Sequence, residues 1–580
     1  MIKKLSACIR EFKLPSLLSP LFVSLEVLME VLIPFLMGKL IDNGIDKADT
    51  GYVMKTGIIL IILCMFSLWF GILAGNFASK ASAGFARNMR HDMYHNVQNF
   101  SFANIDKFSP SSLVTRLTTD VMNLQNSYQM IIRIAVRAPI MTIMSLVMAF
   151  RINGRLASVF VCVIPFLAFG LAFIISKAHP VFKQMFKKFD RLNNVVSENL
   201  RGIRVVKSFV REDVEEEKFK AVSGEIYNDS KKAEGYLAFN APIMQFSSYF
   251  CMIMIAWLGA RMIITTDATA LSTGDLFSVI TYTMQILMNL MTISMLFVML
   301  TMSKASAERI CEVLSEKSTL VSPENAVTEV KDGSITFENV GFSYTDKKDN
   351  LCLEKVNLHI NSGETVGIIG ATGSSKTSFV QLIPRLYDVT EGAVKVGGID
   401  VRDYDLDALR NNVAMVLQKN VLFSGTIKDN LRWGNENATD EEMIEACKLS
   451  CADDFIKEMP EGYDTFIEQG GTNVSGGQKQ RICIARSLLK KPKILIMDDS
   501  TSAVDTKTDA MIRKAMKEYI PETTKIIIAQ RVSSIESADK IIVLDDGKVE
   551  SFGTHEELLN KSEIYRDVYE SQTKGGKENE

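Results

Sequence analysis

Six long apolar stretches fill most of the first 302 residues and limit what this chain can fold into. They cover approximately residues 17–38, 53–75, 134–150, 156–176, 240–264 and 275–302, and no stretch of comparable length follows them. A helix needs about 20 apolar residues to cross the hydrocarbon core of a bilayer. The third stretch is the shortest and begins beside Arg133 and Arg137. We therefore expect six transmembrane helices, the first of them a retained span, because it has no signal-peptide cleavage pattern.

The composition of the whole chain averages two unlike parts. Its 580 residues are 47% hydrophobic and 23% charged, with a mean hydropathy of +0.11 and a formal net charge of −3. A net charge this close to zero argues against a nucleic-acid partner. We expect a transmembrane domain at 1–302, a polar linker at 303–333, a soluble domain at 334–572 and a charged, disordered tail at 573–580.

Lys and Arg residues are distributed unevenly between alternate loops. The segments 1–13, 76–130 and 177–235 carry 22 of them, whereas 39–52, 151–155 and 261–274 carry 5. Because loops rich in Lys and Arg stay inside, we expect a multi-pass protein of the cell membrane with both termini and the soluble domain in the cytoplasm. The two long loops have helical periodicity, so we expect the spans to continue into the cytoplasm and to reverse near Pro110 and Arg211–Phe219.

From Ser334 onward, short apolar runs alternate with helical patterns. This alternation is typical of an α/β domain with a mainly parallel sheet. The runs are Thr365–Ile369, Val413–Leu417, Ile494–Met497, Lys525–Ile528 and Ile541–Leu544.

A phosphate-binding loop follows the first of these runs. In Gly370-Ala-Thr-Gly-Ser-Ser-Lys-Thr377 the backbone N–H groups around Gly370 and Gly373 face a phosphate, Lys376 reaches the terminal phosphates and Thr377 ligates Mg²⁺. Asp498, at the end of another run, supplies a carboxylate to the Mg²⁺ shell. ATP and Mg²⁺ are the cofactors that this pattern predicts. Ser375 stands where a glycine is expected, and we expect its Cβ to crowd the turn.

A second glycine-rich helix start lies in the same domain. Ser475, Gly476, Gly477 and Gln478 precede the helical run Ile482–Leu488, so further bare N–H groups lie at a helix start. One nucleotide does not need two such sites in one domain. We infer that the second site faces a nucleotide held by another chain.

These motifs, in this order, resemble those of half-transporters among the ATP-binding cassette (ABC) exporters of type IV fold, and the resemblance covers residues 1–572. It implies an α-helical membrane domain of six long transmembrane helices plus an α/β P-loop nucleotide-binding domain with a helical subdomain. Two such chains would enclose two nucleotides. Each nucleotide would lie between the phosphate loop of one chain and the second glycine-rich helix start, called the signature, of the other.

The resemblance also implies roles for single residues. Tyr344 would stack on the adenine, Ser378 would contact the nucleotide, and Gln418 would join Thr377 and Asp498 around Mg²⁺. Ser475–Gln478 would be the signature, and the segment from Ser502 to Asp505 would be the D-loop. The coupling helices, which contact the nucleotide domains, would lie near Ser109–Arg116 and Arg211–Phe219.

Two further positions depart from the family's pattern at the candidate catalytic centre. Asp499 stands where the family has the glutamate that polarises the attacking water, and its carboxylate reaches about 1.5 Å less far. Gln530 stands where the family has a histidine, and it donates a hydrogen bond but carries no charge. With Ser375, these changes predict a degenerate ATP site beside an intact signature.

We therefore expect a subunit of a heterodimeric exporter that moves amphipathic small molecules, of the multidrug type, by alternating access. Hydrolysis is expected mainly at the site built from the partner's Walker motifs, which are the counterparts of the phosphate loop and of the strand that ends at Asp498 in this chain. A homodimer with two slow sites, a lipid or peptide exporter, and an ATP-gated regulator or channel-like protein on the same fold are the alternatives.

Charged and thioether side chains in the spans are candidates for a substrate cavity. Glu26 and Glu30 lie one turn apart in the first span, where ionisable groups usually face a bundle interior or a wet cavity. They predict a preference for cations, with structural pairing between helices or snorkelling to the membrane interface as the alternatives. In the last span a methionine stripe with spacings of three or four, which includes Met288 and Met295, suits either a cavity wall or helix packing.

Overall fold

The structure is a computed structural model, and it describes residues 1–266, 269–345, 351–500 and 503–577. The chain divides into two compact units. The membrane unit contains Met1–Gln98 and Pro110–Glu316, and the nucleotide unit contains Asn99–Ser109 and Lys317–Glu580.

Long helices form the first part of the chain. They are α1 (Ile2–Ala7), α2 (Lys13–Leu40), α3 (Thr50–Gln98), α4 (Phe102–Phe108), α5 (Pro110–Thr115), α6 (Val121–Ile152), α7 (Gly154–Arg201), α8 (Ile203–Ser208), α9 (Glu212–Ala238), α10 (Asn240–Thr265) and α11 (Thr273–Ser315). Six helical stretches are long and apolar enough to cross a membrane: Arg10–Ile45, Thr50–Gln98, Pro110–Ile152, Gly154–Phe182, Glu212–Thr265 and Thr273–Ser315. The prediction of six long transmembrane helices is confirmed.

The spans continue well beyond the thickness of a bilayer. Helices α3 and α7 contain 49 and 48 residues. At 1.5 Å per residue each is about 70 Å long, more than twice the hydrocarbon thickness of about 30 Å. The prediction that the spans continue as helices through the two long loops is therefore confirmed.

The chain reverses earlier than predicted in both loops. The first reversal contains the short helix α4, which precedes the predicted Ser109–Arg116 and belongs to the nucleotide unit. Ser101 starts this helix because its hydroxyl and the Asn104 side chain cap each other's backbone N–H groups. The second reversal surrounds α8, whereas Arg211–Phe219 forms the first turns of α9. Gly202 ends α7 and places the turn there.

Small residues and one tyrosine bring α2 and α11 together in the membrane unit. A Cβ on Gly274 would overlap with the carbonyl oxygen of Gly38, so both glycines allow close backbone approach. The buried Tyr282 hydroxyl donates a hydrogen bond of 2.6 Å to the carbonyl oxygen of Val31. This hydroxyl is thereby satisfied inside an apolar cluster with Val27 and Met141.

Strands and shorter helices make up the nucleotide unit. The strands are β1 (Ile335–Phe342), β2 (Leu353–Ile360), β3 (Thr365–Ile369), β4 (Glu391–Val396), β5 (Ile399–Asp400), β6 (Val413–Val416), β7 (Gly425–Thr426), β8 (Phe466–Ile467), β9 (Ile494–Asp498), β10 (Thr524–Ile528), β11 (Lys540–Asp545) and β12 (Lys548–Gly553). The helices are α12 (Lys376–Gln381), α13 (Leu406–Asn412), α14 (Ile427–Arg432), α15 (Asp440–Leu449), α16 (Asp453–Glu458), α17 (Gly476–Leu489), α18 (Thr506–Tyr519), α19 (His555–Lys561) and α20 (Glu563–Lys577).

A six-stranded, mainly parallel sheet organises this unit, in the order β12-β11-β3-β10-β9-β6, with β12 antiparallel at the edge. The predicted parallel sheet is confirmed. A second, antiparallel sheet in the order β2-β1-β4-β5 was not predicted. Helices α14 to α17 form the expected helical part between β6 and β9.

Alternate side chains of the parallel sheet enter two different cores. Along β9, Ile494 and Ile496 pack with the antiparallel sheet, whereas Leu495 and Met497 pack with the helical part. This alternation is the period of two expected for a strand covered on both faces. Packing on both faces fixes the position of the sheet, and the loops at its carboxyl edge start from fixed strand ends.

Two element boundaries differ from the sequence prediction. Helix α11 continues to Ser315, through the first part of the predicted linker, and β1 begins at Ile335. The tail from residue 573, which was predicted to be disordered, is helical as far as Lys577, where α20 ends. Residues 578–580 lie outside the described residues.

Candidate nucleotide site

The phosphate-binding loop, residues 370–375, has a tightly constrained backbone. A Cβ on Gly370 would overlap with the carbonyl oxygen of Leu544, so only glycine fits there. Gly373 has φ +88° and Ser375 has φ +67° and ψ +25°. Ser375 therefore adopts the left-handed conformation that glycine favours, at a cost of roughly 1–2 kcal/mol for an L-residue. The predicted crowding at Ser375 takes the form of backbone strain.

Lys376 folds back over this loop. Its Nζ donates hydrogen bonds of 2.8 Å and 2.7 Å to the carbonyl oxygens of Gly370 and Ala371. Burial lowers the pKa of Lys376, and the nearby carboxylates of Asp498 and Asp499 oppose that effect. An ammonium held by neutral carbonyls inside the loop is positioned to turn toward a phosphate.

The residues predicted to hold Mg²⁺ lie together at the carboxyl edge of the sheet. The Thr377 hydroxyl donates a hydrogen bond of 3.0 Å to Oδ2 of Asp498, which ends β9 and is buried. Burial raises the pKa of Asp498. Mg²⁺ prefers oxygen ligands and is usually held by one or two carboxylates plus phosphates. The Thr377 hydroxyl and the Asp498 carboxylate fit Mg²⁺, which would neutralise phosphate charge when bound. Gln418 follows β6 at the same edge of the sheet and is exposed.

Tyr344 lies at the entrance to the loop. Its hydroxyl is within 2.9 Å of the Ser378 Oγ, and its ring packs edge-on against Tyr387 at 5.2 Å between centroids. About half of the Tyr344 side chain is exposed. An exposed aromatic ring next to a phosphate loop suits stacking on a base.

The two unusual residues at the candidate catalytic position contact each other. Nε2 of Gln530 donates a hydrogen bond of 2.8 Å to Oδ2 of Asp499. Asp499 directly follows β9 and has φ +48°, a conformation that Asp tolerates better than most residues. Gln530 follows β10, the strand paired with β9. The Asp499 carboxylate is therefore held by a neutral amide.

The C-terminal helix holds the backbone on either side of Arg531. Oε1 of Gln572, in α20, accepts a hydrogen bond of 2.8 Å from the N–H of Val532, and its Nε2 donates one of 2.9 Å to the carbonyl oxygen of Gln530. These two hydrogen bonds of Gln572 form a clamp on the backbone. A cavity of about 670 Å³ lies beside the clamp and is lined by Asp499, Gln530 and Tyr569 among others. Sequence reasoning missed Gln572, since it is 42 positions from Gln530 and no motif surrounds it.

The signature begins helix α17 as predicted. Ser475 is the N-cap, and its side chain and that of Gln478 cap each other's backbone N–H groups. A Cβ on Gly477 would lie 2.9 Å from the carbonyl oxygen of Ala503, so Gly477 leaves room for the D-loop. Gly476 opens the helix beside it.

The D-loop ends at Asp505, the N-cap of α18. The N–H of Thr508 donates to its carboxylate and lowers the pKa of Asp505. Within the part of the D-loop that the structure describes, the Ala503 N–H donates a hydrogen bond of 3.1 Å to Oε1 of Gln480, in α17. Thr501 and Ser502 lie outside the described residues.

The short helix α4 packs on the nucleotide unit near Tyr344. The Tyr387 hydroxyl donates a hydrogen bond of 2.8 Å to Oδ2 of Asp106, and the rings of Phe102 and Tyr387 are 6.1 Å apart. Tyr387 in turn contacts Tyr344. The segment between α3 and α5 thus reaches the rim of the phosphate loop through two side chains that sequence reasoning did not identify.

The charged residues predicted in the spans form one cluster in the membrane unit. Nη2 of Arg137 donates hydrogen bonds of 2.8 Å and 2.7 Å to the two carboxylate oxygens of Glu30, and its Nε is 3.6 Å from Oε1 of Glu26. Glu26 is 8% exposed. Glu30 is therefore paired, and the two carboxylates do not form an isolated negative site.

The methionine stripe of α11 is only partly buried. Met288 and Met295 are both 67% exposed on the membrane unit and are not among the residues that line the two cavities beside the charged cluster, whereas Met299 lines one of them together with Glu26 and Arg133. The side chain of Met302 lies outside the described part of the structure.

Comparison with known proteins agrees with both units. Residues 17–291 match the family described as the ABC transporter transmembrane region, and residues 353–502 match the ABC transporter family. An uncharacterized ABC transporter ATP-binding protein, YfiB of Bacillus subtilis, is 36% identical over 94% of each chain. The ATP-dependent lipid A-core flippase of Desulfotalea psychrophila is 30% identical over 99% of each chain.

A solved structure has the same fold. A bacterial Atm1-family ABC exporter with ATP bound aligns over 98% of this chain and 99% of its own, with a TM-score of 0.82 and 23% identity. The chain therefore belongs to the ABC transporter family and is a half-transporter with the exporter fold.

Proposed function

We propose that this chain is the degenerate-site subunit of a heterodimeric ABC exporter of amphipathic small molecules. The hydrogen bond between Gln530 and Asp499 carries this proposal. General-base catalysis typically contributes about 10²- to 10⁴-fold to a rate, and a shortened carboxylate held by an amide is a poor base for water. The strained Ser375 adds a second departure at the same site.

In this proposal the chain's own ATP site binds nucleotide and turns it over slowly. Lys376, Thr377 and Asp498 keep the groups that bind phosphate and Mg²⁺, so binding is retained while the attacking water is poorly activated. Ser475–Gln478 completes the partner's site, where most hydrolysis takes place. Closure of the nucleotide domains reaches the spans through α4 and drives alternating access.

The experiment that tests the division of labour uses the assembled complex. The candidate partner is a second half-transporter that keeps the glutamate and histidine missing here, to be sought in a neighbouring open reading frame. Replacing the partner's glutamate that follows its Walker B aspartate by glutamine is expected to remove nearly all ATPase activity, while Asp499→Asn in this chain changes it less than about twofold. A rate that survives the partner's change, or falls equally with Asp499→Asn, contradicts the proposal.

A homodimer with two slow sites is the second arrangement to test. This chain purified alone is expected to show little ATPase activity. A purified homodimer that hydrolyses ATP and transports at the rate of the complex would favour that alternative.

ATP-dependent uptake into inside-out vesicles separates a pump from an ATP-gated regulator or channel-like protein. A pump accumulates an amphipathic dye or a lipid analogue only with hydrolysable ATP, whereas a gated pathway equilibrates it with a non-hydrolysable analogue. The flippase among the relatives makes a lipid analogue a necessary substrate in this assay. Because Arg137 neutralises Glu30, the proposal does not include a simple preference for cations.

A further inference from the structure

We propose that Glu26 and Arg133 form a ligand site for a zwitterionic amphiphile that carries a primary ammonium close to a phosphate or carboxylate. This inference rests on the proposed function, because it names a substrate class for the exporter. The site lies within the membrane unit, between α2, α3 and α6.

Both a hydrogen-bond acceptor and hydrogen-bond donors lack partners at this place. Oε2 of Glu26 and Nε of Arg137 are buried and have no hydrogen-bond partner among the described residues. Arg133 likewise forms no hydrogen bond or ion pair with any residue that the structure describes. A buried polar atom without a partner is costly, and more so in a membrane. The cluster therefore offers one free acceptor and several free donors to a ligand.

The charges of the cluster restrict the ligand's net charge. Glu26 and Glu30 carry two negative charges, and Arg133 and Arg137 carry two positive charges, so the cluster is neutral. An added ion would leave one uncompensated charge inside the membrane unit. A zwitterion adds none. Its ammonium donates to Glu26, and its anionic oxygens accept from Arg133, which binds phosphates and carboxylates in a bidentate manner.

Two cavities meet at these residues. One of about 680 Å³ is lined by Glu26 and Arg133 together with Ile33, Leu68 and Ile72. The other, of about 570 Å³, shares Glu26 and Arg133 and extends to Met130 and Met299. Both volumes are within the range of small-molecule sites. Their apolar walls accommodate a hydrocarbon chain next to the charged head group, which favours an amphiphile over a free zwitterion.

Gly71 leaves space for the buried carboxylate. A Cβ at Gly71 would lie 3.3 Å from Cδ and Oε1 of Glu26. Gly75 lies one turn further along α3 and faces the guanidinium of Arg133. A Cβ at Gly75 would lie 3.6 Å from Nη1 of Arg133. Helix α3 thus presents two small residues to the two groups of opposite charge.

Direct binding to the purified full-length chain tests the site. Lysophosphatidylethanolamine is titrated in an uncharged maltoside detergent, without ATP or a partner, and bound lipid is counted by native mass spectrometry. Wild-type protein is expected to bind it at least about tenfold more tightly than lysophosphatidylglycerol, which lacks the ammonium, or dodecylammonium, which lacks the phosphate. Lysophosphatidylcholine, whose ammonium has no N–H, is expected to bind as weakly as these two.

Each variant is expected to lose a different discrimination. Glu26→Gln no longer distinguishes the ethanolamine lipid from the glycerol lipid, and Arg133→Gln no longer distinguishes it from dodecylammonium. Arg151→Gln, at the end of the same helix α6, is the matched control and keeps both preferences. Each variant is also expected to keep the discrimination that the other loses, and a misfolded chain, which would lose both, cannot produce this pattern.

Several results would overturn the proposal. Dodecylammonium or lysophosphatidylglycerol binding as tightly as the zwitterion would mean a simple ion site. If phosphoethanolamine, which has no hydrocarbon chain, bound as tightly as the lysolipid, the site would not be one for an amphiphile. Unchanged preferences in both variants would mean that the lipid binds elsewhere on the chain and not at Glu26 and Arg133. Failure of ATP-driven transport with the binding pattern intact would instead contradict the proposed function alone.

Discussion

Ser375 is the residue whose conformation conflicts most clearly with its chemistry. Its φ of +67° is one that glycine adopts freely and that costs an L-residue roughly 1–2 kcal/mol. The strain lies in the loop that binds phosphate, one position before Lys376. The conformation of the loop is therefore maintained by its surroundings, including the packed Gly370, and not by the preference of Ser375 itself.

Ser375→Gly is expected to stabilise the protein by about 1 kcal/mol, because the strain in the native state disappears. Thermal unfolding of the purified chain in detergent measures the change. Ser374→Gly is the matched control: Ser374 is absent from the residues with positive φ, so its replacement relieves no strain. Equal stabilisation by both changes would contradict the assignment of strain to residue 375.

Asp499 and Gln530 act as a pair rather than as two independent substitutions. Their side chains are joined by a hydrogen bond of 2.8 Å, so a change at one alters the partner of the other. Restoring a longer base therefore requires both positions. The left-handed backbone at Asp499 makes glutamate somewhat less favourable there.

The double variant Asp499→Glu with Gln530→His is expected to raise hydrolysis at this chain's site by about tenfold or more, since it restores a base that reaches the water. Single-turnover hydrolysis is measured in a complex whose partner site has been inactivated. Gln530→His alone is the control and is expected to leave the rate low. If wild-type protein already hydrolyses ATP at the rate of the double variant, the site is not degenerate.

At the scale of elements, α20 supports the candidate nucleotide site. Gln572 binds the backbone of Gln530 and Val532 from both sides of Arg531. It is a positioning residue, because it acts on the side chain of Gln530 only through the backbone. The end of the chain thus supports the strand-to-loop transition after β10.

Gln572→Ala is expected to increase hydrogen exchange of the Val532 amide by roughly two- to tenfold, the value of one ordinary hydrogen bond. Exchange of the peptide that contains residues 530–534 is followed by mass spectrometry. Ser571→Ala, on the same helix, removes only a local hydrogen bond to Val568 and serves as the control. Unchanged exchange in Gln572→Ala would mean that the clamp does not hold this segment.

Helix α4 illustrates an assignment that periodicity alone could not make. The sequence pattern predicted the reversal near Pro110, yet the capping pair Ser101 and Asn104 starts a separate helix whose N-cap lies nine residues earlier. Its place in the nucleotide unit depends on Tyr387 and Asp106, which are 281 positions apart. No local pattern encodes a contact of that separation.

At the scale of the whole molecule, the distribution of charge predicts the orientation in the membrane. The unequal numbers of Lys and Arg in alternate loops predict that the turn after α2 faces outward and that α8 faces the cytoplasm. Lys47 and Val210 are exposed residues at these two places.

Cysteine labelling tests this orientation in a cysteine-free background. Lys47→Cys is expected to react with a membrane-impermeant maleimide in intact cells, whereas Val210→Cys reacts only after permeabilisation. The two variants are controls for each other, since both positions are accessible in the membrane unit. Labelling of Val210→Cys in intact cells would reverse the predicted topology.

The sequence by itself determined the six spans and the five parallel strands that it predicted, and it supplied the candidate residues of the phosphate loop, signature and catalytic positions. Each of these is encoded locally, by apolar length, by alternation or by a motif of fixed spacing. Only the tertiary structure decided that Gln530 bonds to Asp499, that Gln572 clamps its backbone and that Arg137 neutralises Glu30. These contacts join residues far apart in the chain, and packing of distant elements fixes which side chains meet.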